Sequence, residues 1–189
     1  MQEQNKHINQ LIEACKRQEQ SAQFEIYKLY YKAMFNTAQR IMQDRFEAED
    51  IMQEAFLNAF TKLDSFKGEV AFGAWLKRIV INKSLTQIKK NSRFEEVKFE
   101  IIENKLEDES TVADNDILDY SVIKANEILK TMERLKDNYR IALTLSLIEG
   151  YDNEEIASIM NISNENCRTT ISRAKTKLRR LFHQETLVN

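Results

Sequence analysis

Apolar residues recur along this chain at three- and four-residue intervals, the period of an α-helix that buries one face. Ile8, Leu11, Ile12 and Cys15 predict a short first helix. Phe24, Tyr27, Tyr30, Met34, Ala38 and Ile41 predict a long second one. Beyond a polar break at Asp44–Glu47, the residues Ala48, Ile51, Met52, Ala55, Phe56, Ala59 and Phe60 predict a third. Its opposite face carries Glu49, Asp50, Gln53 and Glu54. Asp64 to Glu69 reads as a turn, and Phe72, Trp75, Leu76, Ile79 and Val80 open a fourth helix. Met, Phe and Tyr at this spacing are read as plain core; Trp75 is read as core, with an outward, nucleic-acid-facing place left open. Further on, Val122, Ile128, Leu129, Met132 and Leu135 predict one helix, and Tyr139 to Leu147 another, closed by Gly150 as a C-cap.

The stretch from Asp152 to Leu178 is richer in local signals. Asp152 with Glu155 three residues on forms a capping box ahead of Ile156, Ala157 and Met160, which face inward. Asn161 stands where a tight turn wants positive φ, which Asn tolerates better than other non-glycine residues. Ser163 then caps a helix whose apolar stripe is Cys167, Ile171, Ala174 and Leu178. Two short helices about three residues apart, the second basic, make a helix-turn-helix over Asn153–Ser172. The second helix of such a unit lies in the major groove with its N-terminal half near base edges. Arg168, Thr169, Thr170, Ser172 and Arg173 point away from the apolar stripe there, and Lys175, Lys177, Arg179 and Arg180 suit phosphates. A helical hairpin that binds no DNA is the bland alternative.

Composition narrows the class. The chain has 189 residues, no proline and three glycines, too few turn residues for sandwiches or barrels and too few glycines for phosphate-cradling loops. The expected fold is therefore all-α, in one largish domain or two small ones. No apolar run reaches the ~20 residues of a membrane span, and the N-terminus lacks a signal-peptide layout. Cys15 and Cys167 are far apart and read as reduced thiols of a cytoplasmic protein. The histidines are His7 and His183, with no HExxH, ExxH or CxxC spacing. No metal, no cofactor and no catalytic group is expected, so the chain is not read as an enzyme.

Charge is unevenly distributed beneath a net of −2. Residues 1–93 hold 15 basic and 11 acidic side chains, residues 94–120 hold 2 and 10, and residues 121–189 hold 11 and 9. An acidic linker between two mildly basic helical domains is the natural reading. Leu76–Arg93 and Asn166–Gln184 each carry six basic residues and no acid. Two such clusters, one per domain, favour phosphate contacts over merely solvated faces.

These pieces resemble one family. EAEDIMQEAFLNAFTKLDSF (47–66) with AFGAWLKRIVINKSL (71–85) looks like the second region of sigma-70-family factors, and residues 151–182 look like the fourth. The two-domain layout resembles the extracytoplasmic-function (ECF) group. The resemblance implies a sigma factor that binds core RNA polymerase, directs it to promoters and helps melt the minus-ten element. It implies that the first domain meets the β′ clamp helices through the Asp50–Leu63 stretch, with Asp50, Gln53, Glu54 and Leu57 as contacts. It further implies that Phe66, Lys67, Arg78, Asn82 and Lys83 hold the non-template strand of the minus-ten element, and that 121–189 reads the minus-thirty-five element. An anti-sigma factor is an expected partner, and direct membrane insertion is not. The sequence departs from the family pattern at Lys136, where Pro is usual, at Thr170, where Arg is common, and at Cys167, where Val is common. Asp137 is expected to cap the helix after Lys136 in place of that Pro.

Two other classes compete. A stand-alone helix-turn-helix regulator would explain 121–183 but leave the Asp50–Leu63 and Phe66–Lys83 blocks without a role. A carboxylate-bridged metal bundle built on Glu47, Asp50 and Glu54 lacks the Glu-x-x-His pairs such sites use. The 27 residues of 94–120 extend to ~90 Å, enough to bridge the roughly 70 Å of two DNA turns between the promoter elements.

Overall fold

The computed structural model describes residues 2–98 and 120–186. Among them are helices and turns, with no strand. Residues 99–119, which include most of the acidic linker expected at 94–120, lie outside the described residues. Two compact units divide after Ile88.

The first unit contains α1 (Gln2–Lys16), α2 (Gln20–Met42), α3 (Arg45–Thr61), a 3-10 turn (Leu63–Ser65) and α4 (Phe72–Lys98) as far as Ile88. Helix α4 runs five residues beyond Arg93, so the first part of the segment read as linker is helical. Without prolines to stop them, α1 and α2 end on left-handed residues. Gln18 (φ 62°) follows α1 and lets the Glu19 N–H reach the Ala14 carbonyl at 3.2 Å, closing a Schellman-type end. Gln43 (φ 64°) ends α2, and Asp44 then caps α3 by accepting the Glu47 N–H at 2.8 Å.

Helix α3 buries the stripe its spacing predicts: Ala48, Ile51, Met52, Ala55, Phe56 and Ala59. It packs on α2, whose buried residues include Ala22, Ile26, Met34, Ala38 and Ile41, with Tyr27 and Tyr30 half-buried. Phe24 does not join this core. Its side chain is 60% exposed, with Lys28 Nζ 4.7 Å from the ring centroid. The reason is rotational: Ala22 and Ile26 take the inward positions of the first turns of α2, and residue 24 falls on the opposite side. Where α4 begins it touches α2 closely. A Cβ on Gly73 would fall 2.8 Å from the Tyr30 ring, so only glycine fits there without a shift.

The second unit contains α5 (Tyr120–Glu133), α6 (Asp137–Leu143) running into a π turn (Thr144–Ile148), α7 (Asn153–Met160) and α8 (Asn164–Thr186). Its core is Met132, Leu135, Ile141, Leu143, Leu145, Ile156, Ala157, Ile159, Cys167, Ile171 and Ala174. Asp137 does not cap α6. Lys136 occupies the N-cap without a side-chain bond, and Asp137, one residue inside, accepts Arg140 Nη1 at 2.7 Å instead. Gly150 (φ 79°) turns the chain out of the π turn.

Around the helix-turn-helix the local signals act as the sequence suggests. Asp152 accepts the N–H groups of Glu154 and Glu155 at 2.8 Å, and Glu155 Oε2 accepts the Asp152 N–H at 2.9 Å. Asn161 is left-handed (φ 56°), and the Ile162 N–H bonds the Ala157 carbonyl at 3.0 Å. Ser163 Oγ accepts the Asn166 N–H at 3.2 Å. Inward on α7 the second apolar partner is Ile159 rather than Met160, which is half-buried.

Two of these local signals can be tested singly. Asp152→Ala removes both accepted bonds and should cost about 1 kcal/mol, read as a lower thermal midpoint for the second unit. Asn161→Gly should leave that midpoint unchanged or raise it slightly, whereas Asn161→Val, β-branched at positive φ, should lower it.

Candidate functional site

Three outward faces gather the residues singled out by sequence. On α3, Asp50, Gln53 and Leu57 are all exposed and lie at i, i+3 and i+7, so they form one line along the helix. Leu57 is 68% exposed. Glu54 sits on the flank of this line, turned toward α4. Its Oε2 accepts Lys83 Nζ at 2.9 Å, an ion pair spanning 29 residues of sequence. The two side chains belong to different expected faces, and the fold brings them together. With Glu54 64% exposed the pair is solvent-screened and contributes at most about 1 kcal/mol.

On the second face, Phe66 is half-buried in an aromatic cluster. Its ring stands edge-on to Phe72 (5.5 Å, 90°) and tilted to Trp75 (5.3 Å, 49°). Trp75 is itself half-buried, packed on Phe66 and Phe72 (5.6 Å) rather than inside the core. Phe66 is thus held by rings on one side and meets solvent on the other, the arrangement an unstacked base needs from a wall. Lys67 beside it is exposed, Asn82 is exposed, and Arg78 and Lys83 are half-buried. Arg78 and Asn82 are four residues apart on one face of α4, seven from Trp75 to Asn82, so ring cluster, cation and amide share a side of the helix.

The third face is α8. Arg168, Thr169, Ser172 and Arg173 are exposed, and Lys175 and Lys177 are half-buried with aliphatic stems along the apolar stripe. Thr170 does not belong to this face. It is 9% exposed, and its Oγ1 donates to Asn166 Oδ1 at 3.3 Å. The helical period explains this, because residue 170 falls between Cys167 and Ala174 on the buried side. One element was not legible in the sequence. Arg168, Ser172, Lys175 and Arg179 line a cleft of about 380 Å³ together with Ser146 of the π turn and Asn153 of α7. Ser146 and Asn153 come from outside α8, and only the fold could join them to it.

No helix among the described residues is long and apolar enough to cross a membrane. Nor does any group of three His, Cys, Asp or Glu side chains among them sit as a metal site requires. Glu47, Asp50 and Glu54 therefore do not gather into a carboxylate centre.

Comparison with known proteins agrees with the geometry. The family Sigma-70 region 2 matches residues 26–94, and Sigma-70, region 4 matches residues 125–178. The chain is 30% identical over 178 residues to the ECF RNA polymerase sigma factor SigW of Bacillus subtilis, covering 92% of this chain and 95% of that protein. It is 31% identical over 175 residues to the RNA polymerase sigma-H factor of Pseudomonas aeruginosa, covering 88% and 89%. Among solved structures, the sigma factor RpoE in complex with the anti-sigma factor NepR from Bartonella quintana has a similar fold, with a TM-score of 0.61 at 23% identity over 84% of this chain and 95% of that one. CnrH in complex with the cytosolic domain of CnrY has a TM-score of 0.55 at 21% identity over 92% and 96%.

The two thiols take no part in these faces. Cys15 is buried, and burial, helped by the Glu19 carboxylate, pushes its thiol up to about 11. Burial also raises the Cys167 thiol, against a smaller opposing pull from Arg168. An unfolded thiol ionises near 8.5. Below that pH both states keep the proton, so the contribution to stability is fully present. As pH rises from about 9 to 11 the unfolded state loses protons that the folded state retains, and the fold weakens. At pH 7.5 the native protein should therefore react slowly with a thiol reagent, and both thiols should react on denaturation. Rapid native reaction at either position would contradict the burial argument.

Proposed function

This chain belongs to the sigma-70 family, in its extracytoplasmic-function group, and from that premise we propose how its faces divide the work. It is a sigma factor that directs RNA polymerase to promoters. In the proposed division, residues 1–93 bind core polymerase and the minus-ten element, 94–120 are the tether, and 121–189 read the minus-thirty-five element. Asp50, Gln53, Glu54 and Leu57 meet the β′ clamp helices. Phe66, Lys67, Arg78, Asn82 and Lys83 take the non-template strand. The observation that carries this division is the adjacency of the α3 and α4 faces, joined at Glu54–Lys83 within a single unit. A stand-alone helix-turn-helix regulator would have no use for two such adjoining faces.

The proposed mechanism is binding and involves no bond-making step. Holding an unstacked base lowers the cost of opening the duplex, most cheaply at flexible pyrimidine–purine steps. Phe66 provides a wall whose orientation Phe72 and Trp75 maintain, and Asn82 provides both donor and acceptor on a short side chain. On α8, Arg168, Thr169, Ser172 and Arg173 face base edges, while Lys175 and Lys177 contact phosphates. Thr170, buried against Asn166, is withdrawn from the set that touches DNA. An anti-sigma factor is the proposed inhibitory partner, supported by the complexes in which the related folds RpoE and CnrH were solved. A cytoplasmic location follows from work on DNA with polymerase.

Three measurements test this. Asp50→Lys should weaken core polymerase binding at least tenfold while the second unit keeps its thermal midpoint; unchanged binding sinks the α3 assignment. Arg173→Ala should cost ~1–3 kcal/mol and relax preference at one upstream position, whereas Lys177→Ala should weaken binding evenly across sequences and lower the salt slope by about one. Asn82→Ala should reduce permanganate reactivity of the minus-ten element and blur its base preference, with upstream duplex binding nearly intact. Asn82 is the sharper probe than Phe66, because removing Phe66 also disturbs the ring cluster. If Asn82→Ala lowers thermal stability but leaves promoter melting as it was, the residue is structural.

A further inference from the structure

Phe46 is the most exposed large apolar residue in the described chain, at 79%. It stands in the first turn of α3, within the stretch that reads from sequence as a polar break. A phenylalanine left in water at a helix start costs solvation without contributing to the core. Its position is regular, however. Phe46, Asp50, Gln53 and Leu57 follow one another at four-, three- and four-residue steps, and all four are exposed. That spacing keeps them within about 60° of arc on one side of the helix, with the two apolar ends ~16 Å apart. The buried stripe, Ala48, Ile51, Met52, Ala55, Phe56 and Ala59, occupies the opposite side.

A 4-3-4 stripe is the seam by which one helix meets another, each residue entering a hole between side chains of the facing helix. We infer that Phe46 is a polymerase-contacting knob, pairing with Leu57 to clamp a helix of core RNA polymerase across the Asp50–Gln53 stretch. This rests on the reading of α3 as the polymerase face and extends it by one residue and by a geometry. The occupant is thereby specified: a helix with an apolar position at each end of a three-turn span and a basic or amide-bearing side chain between, facing Asp50 and Gln53. Glu54 sits outside the seam because it turns toward Lys83. Charge complementarity at the centre sets the register, and the apolar ends, once covered, supply most of the hold. An exposed phenylalanine is consistent with a surface that is bare only until the partner arrives.

The test compares four full-length variants for binding to purified core RNA polymerase, with thermal melts alongside. Phe46→Ala should weaken binding at least tenfold, and so should Phe46→Gln, which keeps reach and helix propensity but loses the ring. Phe24→Ala removes a comparably exposed ring from α2, off the seam, and should bind within twofold of the parent. Asp50→Lys reports on the underlying reading. If Asp50→Lys weakens binding while both Phe46 variants bind as the parent does, the knob assignment is wrong and the polymerase face stands. If Asp50→Lys also has no effect, the face itself is misplaced and the inference falls with it. Equal loss on Phe24→Ala would make the effect one of general surface hydrophobicity, which overturns the seam geometry.

Discussion

The rotation of α3 about its own axis decides what the first unit can present. Ala48, Ala55 and Ala59 are all fully buried, spaced at seven and four residues along the side that faces α2. Small side chains let two helix axes approach closely, and close approach tolerates little rotation before a larger neighbour clashes. Met52 and Phe56 fill the space beside them, with Phe56 tilted against Tyr27 at 4.9 Å. The exposed line from Phe46 to Leu57 is the geometric complement of that packing. The exposed face of α3, the proposed polymerase surface, is therefore maintained by core contacts, and needs no bonds of its own to hold it in register.

A chain without proline must end its helices by other means, and it does so with side chains and left-handed turns. Gln18, Gln43 and Asn161 all take positive φ, a conformation that costs a non-glycine residue something, least for Asn. Asn161 stands at the corner of the helix-turn-helix, where error in direction matters most. There the capping box at Asp152, the left-handed corner and the Ser163 cap act in succession within twelve residues. Each bond is worth about 1 kcal/mol or less, yet together they leave α8 few alternative directions relative to α7.

Much of this was legible in the sequence because it is local. The capping box, the Asn corner and the α3 stripe depend on spacing alone, and the helical period translates spacing into direction. Thr170 and Phe24 were misread because a three-or-four-residue spacing fixes a stripe only to within about half a turn: Thr170 lay near the edge of its stripe, and Phe24 on the far side of α2 from Ala22 and Ile26. Asp137 stands one residue inside the cap position, where the buried Arg140 donates to it. The Glu54–Lys83 pair could not be read at all, since neither charge pattern nor period links residues 29 apart on different helices. Phe46 was visible yet lost among charged neighbours, because only the three-dimensional exposure shows that nothing in the unit covers it.

The same distinction bears on α8, where the proposed base-facing and phosphate-facing roles rest on small differences in angle. The buried stripe of Cys167, Ile171 and Ala174 fixes one side of the helix, so the opposite crest falls near Thr169, Arg173 and Thr176. Lys175 and Lys177 then lie on opposite flanks of that crest, half-buried, each with its ammonium carried to an edge of the helix. Two cations bracketing a crest suit the two phosphate backbones that border a groove, and a helix seated between them cannot roll far without losing one contact. Arg168 leans toward the flank that Lys175 and Arg179 share with Ser146 and Asn153. On this geometry Arg173 is the more central of the two arginines, and sequence preference should depend on it more heavily than on Arg168.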